Sequence, residues 1–410
     1  GGMNILVLNH YAGSPALGME YRPFHLAREW VRAGHKVRII AGSYSHIRAQ
    51  QPASFNGAHA TQQIDGIDYC WYRTPSYKGN GLGRVKSMLS FILRLWRDAK
   101  AIANDFKPDV VIASSTYPMD IWPAERIAKL SEAKLVYEVH DLWPLSPMEL
   151  GGMSRWHPFI LWVQWAEDYA YKKAQHVVSM LPKTLEYMVS RGMSPGKWAY
   201  VPNGVDLDEW QERAPLPAEI DIALQGVKAR GLPVLGYAGT HGLANALDVL
   251  LDAARLLQGQ VEIVLVGTGP ERDRLVRRVK VENLSNVTML PAVPKTSIPE
   301  LLAAIDIAFI GWHPNPLYRF GISPNKLMDY MMAGKPIVHS VAAGNDPVAE
   351  VGCGITVPPN NAQSIAEAVI SLSKLNKEDL YCMGQRGTSF ILKERDYAVL
   401  ADGFMKILEK

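Results

Sequence analysis

Short apolar runs alternate with helix-length segments through most of the chain, which is the pattern of parallel α/β sheets. In the first half the apolar runs are "NILVLNH", "HKVRIIAG", "DVVIAS", "KLVYEVHD", "QHVVSM" and "WAYVPNG". The alternation breaks over residues 206–232 and resumes with "PVLGYAG", "VEIVLVGTG", "VTMLP", "IDIAFIGW", "PIVHS" and "GITV". The pattern predicts an α/β protein of two doubly wound domains whose ligand-binding edges face each other across a cleft.

The same pattern sets the expected domain boundaries. At 410 residues the chain is long enough for two domains that each bury a sizeable core. Residues 3–205 are expected to form the first domain and residues 206–390 the second. Residues 391–410 are predicted to form a terminal helix that packs back on the first domain.

One helix carries much of the candidate chemistry, in the segment "GISPNKLMDYMMAGKP" at residues 321–336. Ser323 suits the N-cap and Pro324 the first helical position, while Gly334 followed by Pro336 ends the helix. The helix is therefore predicted over residues 324–333, as the crossover between the strands "IDIAFIGW" and "PIVHS". Its N-terminus would open at the carboxyl edge of the sheet, where such folds bind ligands.

Lys326 and Asp329 lie three residues apart on this helix and are predicted to share a face. A helix N-terminus favours an anion, and Lys326 adds a positive charge in the first turn. A cation beside a carboxylate suits a phosphate joined to a ribose diol. A capped helix with a surface Lys–Asp pair has the same spacing, and spacing alone leaves both interpretations open.

Two glycine-containing turns lead from strands into helices in the second half of the chain. "YAGTHGLANAL" turns through Gly239 and His241, and "VGTGPERDRL" turns through Gly267 and Gly269. Both turns offer backbone N–H groups at the sheet edge that also receives the Lys326 helix. Together these elements are predicted to form a diphosphate site.

Polar residues also follow a strand of the first half. "KLVYEVHDLWP" ends in His140 and Asp141, at an edge where side chains touch ligands. His140 is predicted to hydrogen-bond a sugar or transfer a proton, and the alternative is a histidine satisfied within the structure. Asp206 and Asp208 follow "PNG", where a turn at the domain junction is favoured over a metal-bridging pair. No metal site is predicted.

Composition narrows the possible partners. The chain has 43 Lys and Arg against 40 Asp and Glu, and a net charge of +3 argues against a nucleic-acid-binding surface that covers the whole protein. Any basic contact must be local, and no nucleic-acid partner is expected. The three cysteines are scattered and odd in number, so a reducing, cytoplasmic compartment is expected; they are Cys70, Cys353 and Cys382. "NILVLNH" is too short to span a bilayer, and no signal peptide is expected before it. Gly1 and Gly2, before Met3, are interpreted as a remnant of expression.

A basic amphipathic helix is predicted over residues 84–102, "RVKSMLSFILRLWRDAKAI". Its apolar side chains recur at helical spacing, and they are Val85, Met88, Leu89, Ile92, Leu95, Trp96 and Ala99. Its cations fall largely elsewhere, and they are Arg84, Lys86, Arg94, Arg97 and Lys100. The helix could lie on an anionic membrane surface or face the core as an ordinary helix. The tryptophan-rich run "WHPFILWVQWAEDYAY" is open to the same two interpretations.

The order of these motifs resembles the glycosyltransferases of the GT-B fold, and in particular the retaining family 4. The shared features are a glycine-containing loop from Gly13 to Glu20, "GHKV", His140, "PNGVD", the turn at residues 267–269 and "DYMMAGKP". The resemblance covers nearly the whole chain and implies two Rossmann-like domains.

The chain departs from the family pattern at two places. The family's E-x7-E motif has its second acid at Asp329, but its first acid falls on Gly321. The arginine and lysine that usually follow the first turn of the second domain are absent from "GTHGLANAL", where His241 and Asn245 occur.

The resemblance implies roles for particular residues. Asp329 is expected to bind the nucleotide ribose, Lys326 to neutralise the diphosphate and His140 to contact the donor sugar. Backbone N–H groups of Ile322 and Ser323 would replace the missing acid at Gly321. Further donor-side candidates are Gly239, His241, Asn245, Gly267, Gly269 and Asn325, and acceptor-side candidates are Gly13, Ser14, Gly18, Glu20 and Tyr21.

The activity implied is retaining transfer of a sugar from a nucleotide-diphosphate donor, UDP in the first instance, to an acceptor hydroxyl, without a required metal or cofactor. The "GISPNKL" variant resembles a bacterial branch that builds surface polysaccharides such as O-antigen, including N-acetylfucosamine transferases. The basic helix at residues 84–102 further suggests a lipid-linked acceptor and a peripheral place on the inner face of the cytoplasmic membrane. A nucleotide-sugar epimerase on the same plan and a membrane-associated scaffold without catalysis are the alternatives.

Overall fold

The computed structural model describes residues 2–18 and 21–410, which form two compact units. The first unit comprises the residues up to Asn203 together with Tyr397–Lys410, and the second unit is Gly204–Asp396. The boundaries predicted from the sequence, 205/206 and 390/391, lie a few residues away. Val205 belongs to the second unit because it forms a parallel bridge with Asp396 and donates its N–H to the Arg395 carbonyl, 2.7 Å away.

The first unit is built on an eight-stranded sheet in the order β3-β4-β2-β1-β5-β6-β7-β8. Its strands are β1 (Asn4–Leu8), β2 (Lys36–Gly42), β3 (His59–Ile64), β4 (Ile67–Tyr72), β5 (Val110–Ala113), β6 (Lys134–Val139), β7 (His176–Ser179) and β8 (Trp198–Tyr200). All neighbours except β3 and β4 are parallel. The six apolar runs predicted as parallel strands are therefore confirmed.

The hairpin of β3 and β4 was not predicted from the sequence. Its turn is Asp65-Gly66, and both residues have positive φ, 48° and 80°. An Asp-Gly pair at positive φ is typical of a two-residue hairpin turn. The signal was present, but β3 is mostly polar and solvent-exposed, so it carries no apolar run.

Helices cover both faces of this sheet and include the end of the chain. They are α1 (Arg22–Arg32), α2 (Leu82–Arg97), α3 (Ala99–Phe106), α4 (Ile121–Ser131), α5 (Leu145–Gly151), α6 (Pro158–Lys173), α7 (Leu185–Ser190) and the last helix of the chain (Tyr397–Leu408). That last helix packs on α1, where Trp30 Nε1 donates to the Ala401 carbonyl at 3.1 Å and the Trp30 ring meets Phe404 edge-on. The predicted helix at residues 84–102 is divided between α2 and α3.

The second unit contains a six-stranded parallel sheet in the order β11-β10-β9-β12-β13-β14. Its strands are β9 (Val234–Ala238), β10 (Glu262–Val266), β11 (Val287–Leu290), β12 (Ile307–Gly311), β13 (Ile337–Ser340) and β14 (Gly354–Val357). All six were predicted. Buried apolar clusters cover both faces of the sheet. The strand order reverses between β9 and β12, and a doubly wound sheet binds ligands at the carboxyl ends of its strands at such a point.

Nine helices surround this sheet in the described chain. They are α8 (Leu207–Gln211), α9 (Ala218–Lys228), α10 (Leu247–Leu256), α11 (Arg272–Val281), α12 (Ile298–Ala303), α13 (Asn325–Met332), α14 (Pro347–Val351), α15 (Ala362–Ser373) and α16 (Lys377–Phe390), so that the last helix of the chain is α17. A short π-helical turn at Ile391–Arg395 follows α16.

The structure confirms α13 as the crossover between the parallel neighbours β12 and β13. Its start was placed one residue too early. Pro324 is the N-cap, in an extended conformation, and the helix begins at Asn325 rather than at Pro324. Ser323 is therefore not the N-cap. The helix ends at Met332, just before Gly334, whose φ is 71°.

Candidate functional site

Two turns meet at the reversal point of the second unit, directly after β9 and β10. Gly239 donates its N–H to the Val266 carbonyl and His241 donates to the Thr268 carbonyl, both at 2.9 Å. The His241 carbonyl in turn accepts from the N–H of Glu271 at 2.9 Å. The backbones of the two predicted glycine turns are thus joined into one surface.

The glycines of these turns are required by close approach of the backbone. A Cβ atom at Gly267 would lie 1.9 Å from the Gly239 carbonyl oxygen, and Gly267 has a φ of 149°. A Cβ atom at Gly239 would lie 2.3 Å from Cε of Lys326. Because Gly239 and Gly267 have no side chains, the two turns can approach each other closely, and Lys326 can pack against the turn that follows β9.

Gly267→Ala should destabilise the protein by about 3 kcal/mol, because the new Cβ atom meets backbone that has no room to yield. The free energy of unfolding can be measured by urea titration. Gly226→Ala is the matched control, since Gly226 lies within α9 and faces open space where a Cβ atom would be added. That control should be neutral or slightly stabilising. Equal stabilities of the two variants would contradict the tight approach of the turns.

Lys326 lies in the first turn of α13 and reaches back to β9. Its Nζ donates to the Tyr237 hydroxyl at 2.7 Å and lies 4.4 Å from the centre of the Tyr237 ring. Tyr237 donates its O–H to the Thr240 carbonyl at 2.6 Å. Burial lowers the pKa of Lys326 to about 8. No carboxylate forms an ion pair with this ammonium within the described part of the chain.

His241 lies beside Lys326 with a buried side chain. Its Nδ1 lies 3.0 Å from the Gly239 carbonyl, and because a carbonyl only accepts, Nδ1 carries the hydrogen. Its buried Nε2 has no partner among residues 2–18 and 21–410, and neither does Nε of Arg272. Burial lowers the pKa of His241, and Arg272 and Lys326 lower it further against the opposing hydrogen bond to Gly239. The reversal point therefore holds two cations, Lys326 and Arg272, beside a histidine whose lowered pKa favours its neutral form.

Asp329 does not pair with Lys326, contrary to the predicted shared face. The indole of Trp210 donates a hydrogen bond to Asp329, and Lys295 and Glu209 are its charged neighbours. Burial raises the pKa of Asp329 to about 7, with Lys295 opposing this shift and Glu209 adding to it. Asp329 thus lies toward α8 and the segment after β11, whereas Lys326 lies toward β9.

The loop before α13 also differs from the expectation in one respect. The N–H of Ile322 donates to Asn345 Oδ1 at 2.7 Å, so it is not free for a donor sugar as expected. Asn345 Nδ2 returns a bond to the Ile322 carbonyl at 3.3 Å. Gly321 has a φ of 110°, which is unfavourable for other residues, so an acid at this position would strain the loop as it stands.

The remaining donor-side candidates have separate positions. Asn245 accepts from the Gly242 N–H at 3.2 Å and closes its own turn, so its side-chain oxygen has a local role. Asn325 is exposed at the start of α13. Gly269 packs under His241, because a Cβ atom there would lie 2.6 Å from the His241 carbonyl oxygen.

In the first unit His140 follows β6 at the carboxyl edge of the sheet. Its Nε2 lies 3.0 Å from Ser114 Oγ and 3.2 Å from Glu138 Oε1. Ser114 also donates to Glu138 Oε1 at 2.7 Å, and Arg22 forms a buried ion pair with Glu138 Oε2 at 3.2 Å. Burial alone would raise the pKa of Glu138, but Arg22 and His140 outweigh this effect and hold that pKa far below its usual value. An ionised Glu138 thus fixes the orientation of the His140 ring.

The loop after β1 contains the acceptor-side candidates. Two hydrogen bonds hold this loop. Arg48 donates from Nε to the Ala12 carbonyl at 2.9 Å, and Tyr69 donates its O–H to the Gly13 carbonyl at 2.8 Å. Gly18, with a φ of 88°, packs against Ala49. Ser14 is fully buried, which does not suit contact with an acceptor. Tyr21 is the N-cap of α1, and Glu20 lies outside the described residues.

Family models match both units. The model of Glycosyltransferase Family 4 matches residues 17–209, and the model of Glycosyl transferases group 1 matches residues 232–374. The chain belongs to glycosyltransferase family 4. A search of curated proteins gives no match.

Solved structures of similar fold support the GT-B architecture of this glycosyltransferase. Anabaena Alr3699/HepE, crystallised with UDP and glucose, has 17% identity and a TM-score of 0.66, with 99% of each chain covered. Sucrose-phosphate synthase from Thermosynechococcus elongatus has 16% identity and a TM-score of 0.68, with 99% of this chain and 98% of that chain covered. WaaG, a glycosyltransferase involved in lipopolysaccharide biosynthesis, has 15% identity, a TM-score of 0.64 and 99% of each chain covered.

Several residues of the glycosyltransferase site were missed from sequence. Tyr237 and Glu138 sit within apolar strands, and a polar residue inside a buried strand was the available signal. Arg22 and Arg272 open helices that follow glycine loops, but nothing local indicates which arginines turn inward.

Proposed function

We propose that this glycosyltransferase moves a sugar from a UDP-sugar to an acceptor hydroxyl with retention of anomeric configuration. One observation carries the proposal: Lys326 and Arg272 lie near the buried His241 at the reversal point of the second sheet, and no carboxylate forms an ion pair with Lys326 in the described part of the chain. Partly buried cations without a neutralising acid favour a bound polyanion. UDP is chosen because solved relatives of the same fold hold it.

The chemistry then follows from charge development on the leaving group. As the bond between the sugar C1 and the diphosphate oxygen breaks, negative charge grows on the diphosphate. Lys326 stabilises that charge, and its hydrogen bond to Tyr237 holds the ammonium in place. The acceptor hydroxyl attacks C1 from the same face, and its proton passes to the departing phosphate oxygen. No covalent nucleophile and no metal are needed in this scheme.

The other two assigned residues act on the sugars. Asp329 is assigned by the family resemblance to accept hydrogen bonds from the ribose hydroxyls, and it lies beside Lys295 and Trp210. His140 contacts the donor sugar, and the Ser114–Glu138–Arg22 chain orients its ring.

The acceptor we favour is a lipid-linked glycan of surface-polysaccharide synthesis on the cytoplasmic face of the membrane, and the donor sugar an N-acetylated aminodeoxy sugar. The "GISPNKL" sequence before α13 supports this branch by resemblance. Product analysis by mass spectrometry, with a panel of UDP-sugars and lipid-linked acceptors, tests both assignments.

A thermal-shift panel tests the donor site directly. UDP, GDP, ADP, CMP and TDP are compared with and without magnesium on the wild type, on Asp329→Ala and on Asp221→Ala. A ligand at about a hundred times its dissociation constant stabilises by roughly 2.7 kcal/mol, so we expect a clear, metal-independent rise in Tm with UDP. Asp329→Ala should lose most of this rise. Asp221→Ala, an exposed acid on α9, should retain it.

Two outcomes would redirect the assignment. No shift with any nucleotide would favour a catalytically inactive scaffold over a transferase. A UDP shift accompanied by consumption of the UDP-sugar without acceptor, giving an epimeric sugar, would favour the epimerase.

A further inference from the structure

Helix α2 exposes a stripe of apolar side chains. Met88, Phe91, Ile92 and Leu95 are buried. Leu89 and Trp96, which were predicted to lie on the same apolar face, are instead 43% exposed each.

Leu89 and Trp96 form one line along the helix with Leu82 and Leu93, which are 79% and 55% exposed. Spacings of seven, four and three residues place all four within about 60° around the helix axis. Such a line of exposed apolar residues marks an interaction surface.

The line continues across two neighbouring helices. The guanidinium of Arg126 on α4 lies 4.7 Å from the Trp96 ring. One turn away on α4, Trp122 packs edge-on against Trp165 of α6, with 5.1 Å between ring centroids. Trp165 is 64% exposed, and Leu161 precedes it by one turn with 49% exposed. We call this continuous surface the α2–α4–α6 face.

Cations border the α2–α4–α6 face. Lys86 and Arg97 are exposed on α2, next to the apolar line, and Lys129 of α4 has a side chain that is 71% exposed. Two acids lie among these cations. Glu125 forms an ion pair with Lys129 and accepts a hydrogen bond from the Tyr169 hydroxyl. Asp98 forms an ion pair with Arg97 and accepts a hydrogen bond from the Tyr72 hydroxyl.

Two of the five cations predicted to meet a membrane do not point freely outward. Arg84 turns inward, with its guanidinium 5.5 Å from the Tyr11 ring and 5.6 Å from the Trp143 ring. Arg94 donates from Nε to Ser90 Oγ at 3.3 Å. The remaining cations, Lys86, Arg97 and Lys100, are exposed.

We infer that the α2–α4–α6 face docks on the surface of an anionic lipid bilayer. Leucine and tryptophan side chains flanked by Lys and Arg match the boundary between acyl chains and anionic headgroups. A second copy of the chain fits less well, because a two-fold contact would bring the cations of both copies together. Among the described residues no helix combines the length and apolar character needed to cross a bilayer, so contact would be made from the surface.

Vesicle flotation at low salt tests the face. Vesicles of phosphatidylcholine alone are compared with vesicles containing one part in three of phosphatidylglycerol. Wild type should float with the anionic vesicles and much less with the neutral ones. A Trp96→Ser/Trp165→Ser variant should lower the partition coefficient at least tenfold. The control variant Ile222→Ser/Val281→Ser removes two even more exposed apolar residues from the second unit and should bind as wild type does.

The charges are tested separately from the apolar residues. Lys86→Gln should lower the partition coefficient about fivefold, because a cation at an anionic surface contributes about that factor. Arg97→Gln should lower it less, because Asp98 already pairs with Arg97. Lys374→Gln/Lys377→Gln, at exposed positions around the start of α16, should have no effect.

Three results would overturn the inference. The first is that wild type does not float with anionic vesicles, and the second is that the Trp96→Ser/Trp165→Ser variant floats as well as wild type. The third is that wild type self-associates and this variant does not. The last result would make the face a contact between copies. Vesicle binding needs no nucleotide, so the two tests are independent. A protein that fails to float can still show the UDP shift, and a protein without the UDP shift can still bind vesicles.

Discussion

Lys326→Met is expected to lower kcat about a hundredfold while the protein remains folded. Loss of one preorganised group that stabilises transition-state charge costs roughly 3 kcal/mol. Methionine fills a volume close to that of the lysine stem against Gly239 but carries no charge. Steady-state transfer rates give kcat, and calorimetry gives the affinity for UDP. A larger loss in kcat than in UDP affinity is the signature of a role in charge stabilisation.

Lys335→Met is the matched control. Lys335 follows the other end of α13, and burial lowers its pKa as well, with Asp306 opposing. Lys335 follows the last residue of α13, whereas Lys326 lies in its first turn, so the loss of Lys335 should change kcat by less than about twofold. Wild-type kinetics in Lys326→Met would remove this lysine from the mechanism.

The same lysine should make UDP binding depend on pH. With a pKa of about 8 in the free protein, Lys326 loses its proton as the pH rises through 8, and the site loses positive charge. UDP binding should therefore weaken above pH 8 in the wild type and take up protons there. The Lys326→Met variant should lack this fall in affinity.

Glu138→Gln is expected to destabilise the protein by about 3 kcal/mol, because it leaves the buried Arg22 without its counter-ion. Arg22 keeps two carbonyl partners, Pro202 at 2.6 Å and Val201 at 2.8 Å, which do not neutralise its charge. Urea unfolding measures the loss. Asp402→Asn, which breaks the exposed pair with Lys406, should cost less than about 1 kcal/mol.

The pH dependence of stability gives a second measure of Glu138. Its pKa in the folded protein is lowered, so its stabilisation is complete above the unfolded value of about 4.3 and is lost as the pH falls below that value. Wild type and Glu138→Gln should therefore converge in stability toward low pH. A double variant, Arg22→Met/Glu138→Met, should recover part of the loss at neutral pH, and no recovery would show that the lost stability comes from packing.

Local signals explain what was predictable. The crossover helix α13 follows from proline before it and glycine after it, and the diphosphate turns follow from glycines between a strand and a helix. Each of these depends on backbone conformations that few residues adopt. The parallel sheets follow from apolar runs at regular spacing, since both faces of such strands are buried.

Side-chain direction was not predictable in the same way. Lys326 and Asp329 share a helix and are three residues apart, yet one contacts Tyr237 and the other contacts Trp210. Those partners are roughly 90 and 120 residues away in sequence, so the direction depends on tertiary packing. The same holds for α2, where spacing indicated an amphipathic helix but only the neighbouring helices decide that Leu89 and Trp96 are exposed.

The position of α17 has a consequence for synthesis of the chain. This helix supplies buried side chains, including Leu400, Phe404 and Leu408, to the core of the first unit, and Lys134 Nζ contacts the Leu408 carbonyl. The second unit, Gly204–Asp396, leaves the ribosome complete, whereas the first unit still lacks part of its core at that moment. The unit that begins the polypeptide is thus the last to be finished, which reverses the usual N-terminal-first order of domain folding.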